Sequence, residues 1–220
     1  MKLLNILKNK GITALNYGRI LDEDGRAPFV RSMSEIAGNQ SIAIAMECLN
    51  SFSGGQGYSL GGVTGVPPAE VVILGAGTVG TVAARIAVAM GAKIKVFDSS
   101  MTRMQRLREQ IGHDVFTCTL QPQIMSKALS ECQVAIGALR PVNGRNLIVV
   151  TEEMVSSMKT NSIIVDVSID NGGCFETSEV RSLESPIYRK KGVIHFSVPN
   201  IASRVARTGI LLLPFTSNPR

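Results

Sequence analysis

The sequence predicts an α/β protein built on a doubly wound parallel sheet, and three observations carry the prediction. Val71-Val72-Ile73-Leu74 is an unbroken apolar run, β-branched and too short for a helix, which suits a strand buried on both faces. Gly75-Ala76-Gly77-Thr78-Val79-Gly80 follows at once with G-x-G-x-x-G spacing, and apolar residues then recur at helical spacing (Val79, Val82, Ala83, Ile86, Ala87, Met90) until Gly91. The 220 residues are 45% hydrophobic and only 18% charged, a balance that fits a sheet covered by helices on both sides.

Each part of the stretch from Glu70 to Asp98 has a mechanical reason in a Rossmann nucleotide-binding unit. Gly75 permits a tight turn, Gly77 lets the backbone approach a pyrophosphate, and Gly80 lets helix and strand pack closely. The helix start offers unpaired N–H groups and a positive dipole end to phosphates. A second strand, Ile94 to Phe97, ends on Asp98, eighteen residues beyond Gly80, where a carboxylate can accept hydrogen bonds from both ribose hydroxyls. A 2′-phosphate there would meet like charge, so the expected cofactor is NAD rather than NADP. The competing account is a structural turn whose Asp98 caps a loop. Strand, turn, helix, second strand and acid arrive in the order that dinucleotide binding requires, which favours the cofactor.

Along the chain, residues 1–27 read as a short polar lead, a strand near Ile12–Tyr17 and an ordinary turn at Asp22-Glu23-Asp24-Gly25. A long helix is expected from about Phe29 to Phe52 after Pro28, with Gly38 and Ser41 suited to close packing. Glycine-rich segments around Gly54–Gly57 and Gly61–Gly65, then Pro67-Pro68, read as a hinge or surface loop. Beyond Asp98 the alternation continues: a helix over Met101–Ile111, a strand near Val115–Thr117, a helix over Pro122–Leu129 and a strand at Gln133–Ile136. The loop Gly137–Pro141 follows at that strand's carboxyl end, where open α/β sheets bind ligands. Thr151 with Glu152 and Glu153 reads as an N-cap and acidic first turn. Strands at Ser162–Val167 and Val193–Val198 complete the repeat, the first running into the polar loop Ser168–Cys174.

Several function classes recede on composition. The net charge of +6 is spread along the chain with one modest cluster, Arg103, Arg106 and Arg108, and without a helix-turn-helix or RNA-binding signature; it reads as a solvated helix face partly serving an anionic cofactor, not as a nucleic-acid surface. No apolar run reaches the roughly 18 residues that span a bilayer, so no membrane association is expected. Cys48, Cys118, Cys132 and Cys174 lack C-x-x-C spacing and read as thiols of a reduced cytoplasm, not as a disulfide or metal framework. No metal is expected. His113 and His195 both read as structural.

Four motifs carry a family resemblance: SMSEIAG (32–38), GGVTGVPPAEVVILGAGTVG (61–80), DVSIDNGGCFETS (166–178) and VPNIASRVART (198–208). On these the chain resembles alanine dehydrogenase, within a wider group that includes the nicotinamide-binding subunit of proton-translocating transhydrogenase. The resemblance implies an NAD-dependent oxidoreductase that interconverts L-alanine with pyruvate and ammonia, a two-domain subunit with the site in the cleft, and a homo-oligomer. It implies a remnant of the substrate domain over residues 1–30, an interdomain helix over 31–53, the Rossmann domain over 54–200 and a return helix over 201–220. Ser34 would contact the cofactor, and Ala76, Gly77, Thr78 and Val79 would line the pyrophosphate. Asp98 would hold the adenosine ribose with Arg103 on the adenine side, and Leu139, Val149 and Val167 would flank the adenine and nicotinamide portions. Asp170 matches the active-site aspartate, and Asn200 and Ile201 match positions beside the nicotinamide.

Chemistry supports Asp170, because a hydride transfer needs a nearby group to handle a proton or hold an ammonium. Its bland alternative is a cap on the Asn171-Gly172-Gly173 turn. Asp166, inside the strand, is expected to be a satisfied strand-end carboxylate. The chain departs from the family pattern in starting just ahead of the interdomain helix, without the segment that supplies the substrate-binding lysine and arginine and the catalytic histidine. Asn200-Ile201-Ala202 also has alanine where N-x-P is usual, and Arg181–Glu184 replaces a stretch that often bears Thr and His. Two further readings therefore stand beside the first: a stand-alone, non-catalytic NAD(H)-binding module, and a transhydrogenase subunit.

Overall fold

A computed structural model describes residues 2–112, 115–141 and 147–216. Helix α1 (Lys2–Asn9) opens the chain where a polar lead was expected, and Leu3 and Leu4 on it are exposed. The strand expected at Ile12–Tyr17 does not form. None of the sheet strands pairs with it, and an unpaired strand would leave its backbone groups without partners. A 3-10 turn at Tyr17–Arg19 stands at its end, capped by the Asn16 side chain accepting from the Gly18 N–H. The acidic turn is as expected: the Gly25 N–H donates to the Asp22 carbonyl at 2.9 Å.

Helix α2 (Pro28–Leu49) starts on a proline, which loses nothing where the first N–H groups have no helical partner. It stops three residues short of the expected end because Asn50 is extended and its side chain caps a 3-10 turn at Ser51–Ser53. The glycine-rich stretch then leads to β1 (Glu70–Leu74), α3 (Thr78–Ala89), β2 (Lys93–Phe97), α4 (Met101–Ile111), β3 (Phe116–Cys118), α5 (Pro122–Glu131), β4 (Val134–Gly137), α6 (Glu152–Ser156) and β5 (Ile163–Asp166). A 3-10 turn at Val167–Asn171 follows, then β6 (Ile187–Lys190), β7 (Val193–Phe196), a 3-10 turn at Ile201–Val205 and α7 (Ala206–Thr216).

The seven strands form one sheet in the order β3-β2-β1-β4-β5-β7-β6, parallel except for β6. The sheet winds outward both ways from the β1–β4 pair, so the topological switch point opens there. Alternation along each strand loads both faces. Ile73, Val96, Ile136 and Val165 pack toward α2 and α3, while Val72, Leu74, Ala135 and Ile164 pack with Met125 and Leu129 of α5. Sequence reading missed β6. It is an edge strand with polar alternation, joined to β7 by Lys191-Gly192 with positive φ at both residues, a hairpin turn more easily recognised when it reads Asn-Gly.

His195, expected to be structural, is fully buried in β7. A carbonyl can only accept, so its Nδ1–H donates to the Val193 carbonyl at 3.1 Å, and its Nε2 accepts from the Thr177 hydroxyl at 2.9 Å. Burial pushes its pKa down from 6.5 to about 4. The folded state therefore binds fewer protons than the unfolded state between those values, and stability is lost as pH falls through that window. About 2 kcal/mol should disappear between pH 7 and pH 5 through this residue. Urea midpoints at the two pH values should show a smaller drop for His195→Gln than for the unaltered protein, and equal drops would contradict the burial argument. His113 lies outside the described residues.

Candidate functional site

The glycine turn after β1 is fixed by what a side chain would strike. Gly75 has φ +115, and a Cβ there would lie 2.4 Å from the Ala138 carbonyl oxygen at the end of β4. A Cβ on Gly80 would lie 1.8 Å from the Gly75 carbonyl oxygen, so α3 can approach the strand end only as glycine. Gly38 of α2 does the same from above, its Cβ position being 2.5 Å from the Val79 carbonyl oxygen. Three elements thus converge on one turn. Gly77 differs: the nearest atom to its Cβ position is Arg140 Nε at 3.7 Å, so it faces open space at the start of α3. No side chain caps that start, which leaves its first N–H groups available to an anion. These are the features a pyrophosphate requires.

A cavity of about 510 Å³ opens beside the turn, at the carboxyl ends of β1, β4 and β5. It collects Ser34 from α2, Gly77, Thr78 and Val79 from the turn, Leu139 from the loop after β4, Val167 and Asp170 from the turn after β5, and Asn200 and Ile201 from the loop after β7. Nine of the residues singled out from sequence therefore share one space. Ala76 and Arg103 line a neighbouring cavity of about 370 Å³ that also touches Gly77 and Thr78. Gly75 and Gly80 shape the turn without lining either cavity. Val149 lies elsewhere: its N–H donates to the Cys174 carbonyl, and its side chain packs on the opposite face of the sheet core.

Asp98 is placed where expected in the chain, at the end of β2, but the residue is only 2% exposed and lines neither cavity. Oδ2 accepts from the Ala76 N–H at 2.7 Å, while Oδ1 accepts from the Ser100 N–H at 2.7 Å and pairs with the Arg103 guanidinium at 3.1 Å. The residue is thus an anchor of the glycine turn as well as a ribose candidate.

The two aspartates at the end of β5 and in the turn beyond it have different surroundings. Asp166 is buried. Its Oδ1 accepts from the Ser168 N–H and hydroxyl, and its Oδ2 accepts from the Cys174 N–H at 3.0 Å and the Ser178 hydroxyl at 2.7 Å. Burial pushes its pKa up, and these donors pull it back. Asp170 is exposed to the cavity and does not cap the Asn171–Gly173 turn. Its Oδ1 accepts from the Asn200 N–H at 2.9 Å, joining the loops after β5 and β7. Asn200 holds a left-handed conformation, φ 53 and ψ 48, a modest strain borne where the two loops meet. A free carboxylate oxygen beside an apolar wall of Val167, Ile201 and Leu139 can take up or release a proton or hold an ammonium.

Other lining residues escaped the sequence reading. Phe29, Val30 and Met33 wall the cavity from α2, and Tyr17, packed on Phe29 with ring centroids 5.3 Å apart, reaches it from the segment expected to be a strand. Arg140 donates to the Thr78 hydroxyl at 3.5 Å. Its position in the loop after β4, at a carboxyl strand end, was the signal that could have found it. Ser34 donates its hydroxyl proton to the Val30 carbonyl at 2.7 Å, leaving oxygen lone pairs toward the cavity. Among the described residues no group of three or more His, Cys, Asp or Glu is arranged to hold a metal ion, and no helix is long and apolar enough to cross a membrane.

Comparison with known proteins bears on the family and the fold. Residues 41–216 match the family model described as alanine dehydrogenase/PNT, C-terminal domain. The alanine dehydrogenase of Methanococcus maripaludis is 41% identical over 213 residues, covering 96% of this chain and 57% of that protein. A solved L-alanine dehydrogenase superposes with a TM-score of 0.93 at 36% identity, over 98% of this chain and 60% of that one. A transhydrogenase from Sinorhizobium meliloti, at TM-score 0.73 and 22% identity over 86% of this chain and 53% of that one, shares the fold. The chain thus spans 57% of the length of the curated relative it matches at 41% identity.

Proposed function

The chain belongs to the alanine dehydrogenase/PNT C-terminal domain family, and from that premise we propose that it forms the NAD(H)-binding part of an alanine dehydrogenase, oxidising L-alanine to pyruvate and ammonia. The observation that carries the reading is the single cavity in which the glycine turn, Asp170 and Asn200 meet. Gly77 and the start of α3 take the pyrophosphate, the backbone approaching it because nothing fills the Cβ position of Gly77. Asp98 takes the adenosine ribose hydroxyls when Arg103 yields its place on Oδ1. Val167, Leu139 and Ile201 exclude water around the nicotinamide, and Ser34 contacts the cofactor from α2. Bound NAD supplies the hydride acceptor. Asp170 holds the substrate ammonium or a proton at its carboxylate, oriented by the Asn200 N–H.

A second reading, a non-catalytic NAD(H)-binding module, draws on the position of His195, buried in the sheet away from the cavity, so that Asp170 is the titratable group in the described wall besides Tyr17 and Arg140. The division into residues 1–30, 31–53, 54–200 and 201–220 belongs to the first reading. So does a homo-oligomer, supported by the exposed Leu3, Leu4, Ile12, Leu15, Ile210 and Leu211. A cytoplasmic location draws support from four free cysteines.

Calorimetric titration with NADH tests the cofactor. Asp98→Ala should weaken NADH by about tenfold or more, since hydrogen bonds to a charged group are lost and the Ala76 N–H loses its acceptor. NADH binding unchanged by that substitution would remove Asp98 from the site. Turnover of pyruvate with ammonium and NADH separates the two readings.

A further inference from the structure

The two cavities beside the glycine turn meet along one short wall. Gly77, Thr78 and Arg140 line both of them, and these are the three residues they share. On one side lies the cavity of about 510 Å³ with Asp170 and Asn200; on the other lies the cavity of about 370 Å³ with Ala76 and Arg103. A dinucleotide is two nucleosides joined by a pyrophosphate, and the pyrophosphate sits at the helix start that follows the glycine turn. A ligand of that shape fills both cavities only if its phosphate bridge crosses the shared wall.

Arg140 is the one of the three that carries charge. Its Nε is the nearest atom to the Cβ position of Gly77, at 3.7 Å, and its guanidinium donates to the Thr78 hydroxyl at 3.5 Å. The residue is exposed, and no carboxylate pairs with it among the described residues. A hydrogen bond of that length to a neutral hydroxyl is weak, whereas one to a phosphate oxygen is charge-assisted. Resting on the dinucleotide reading above, we propose that Arg140 holds the pyrophosphate of NAD(H). The guanidinium exchanges the Thr78 hydroxyl for phosphate oxygens and closes on the bridge, together with the uncapped N–H groups at the start of α3. The glycine turn supplies dipoles and no full charge, so an arginine reaching it from the loop after β4 adds what the turn lacks.

The test is titration of the full chain and of Arg140→Gln at low and at moderate salt, with NADH and ADP-ribose followed by calorimetry and adenosine by displacement of NADH. Arg140 is exposed, so the variant should melt within about 2 °C of the unaltered protein. It should lose about tenfold in affinity for NADH and for ADP-ribose, and less than about twofold for adenosine, which carries no phosphate. Its NADH affinity should also fall less steeply with salt. Equal loss for adenosine would move the contact off the phosphates and overturns the proposal. So does an NADH affinity that changes by less than about twofold, or that falls with unaltered salt dependence. Binding of neither NADH nor ADP-ribose by the unaltered chain overturns the dinucleotide reading itself, whereas NADH binding indifferent to Arg140 overturns the clamp alone.

Discussion

Gly80→Ala is expected to abolish NADH binding and to lower stability by about 3 kcal/mol. The added methyl would lie 1.8 Å from the Gly75 carbonyl oxygen and 3.3 Å from Ile73 Cγ2. A flexible side chain could turn aside; a carbonyl at the end of a buried strand cannot. Either α3 retreats from β1, opening the core around Ile73 and Ala83, or Gly75 moves, and Gly75 is itself held against Ala138. Both routes disassemble the glycine turn. Gly77→Ala is the control, because its methyl meets nothing nearer than 3.7 Å; it should leave stability unchanged while occupying ligand space. Urea unfolding and nucleotide titration on the pair decide the matter. If Gly80→Ala matched the unaltered protein in both, the turn could not be packed as described.

Asp166→Ala should cost about 4 kcal/mol, the second large effect. Removing the carboxylate strands the Ser168 N–H and hydroxyl, the Cys174 N–H and the Ser178 hydroxyl around a buried hole. Water cannot compensate them all, and Gly173, whose Cβ position lies 2.7 Å from Oδ2, shows how tightly the backbone wraps the group. Because these donors pin both ends of the loop that carries Asp170, NADH should restore less stability to the variant than to the unaltered protein. A loss below about 1 kcal/mol in urea unfolding would show that the donors find other partners.

What the sequence disclosed follows from the range of the interactions involved. The β1–turn–α3–β2 unit depends on residues within about thirty positions, and its glycines, Asp98 and helix start were legible because each reports a local requirement. The buried place of Asp166 was legible because it lies inside an apolar strand, and the cavity-lining place of Asp170 because it lies beyond that strand's end. Long-range features were not legible. The cavity of about 370 Å³ beside the glycine turn draws Arg31, Arg85, Arg106 and Arg140 from four elements, and along the chain Arg106 looked like part of a solvated helix face. The pairing of Asp98 with Arg103 was equally hidden. Strand propensity over Ile12–Tyr17 misled because a strand exists only with a partner; β6, less apolar, exists because β7 supplies one.

The close seating of Gly38 on the Val79 carbonyl makes α2 a lever with its fulcrum near mid-length. Ten residues separate Pro28 from Gly38, about 15 Å of helix, so a tilt of about 5° shifts the Phe29 end by about 1 Å. The Leu49 end swings the opposite way by a similar distance, while Val79 beneath the fulcrum hardly moves. Phe29, Val30 and Met33 on the moving arm wall the cavity that Asp170 lines, whereas the glycine turn lies under the pivot. Rocking of this one helix would therefore widen or narrow the α2 wall of the cavity while the glycine turn keeps its geometry.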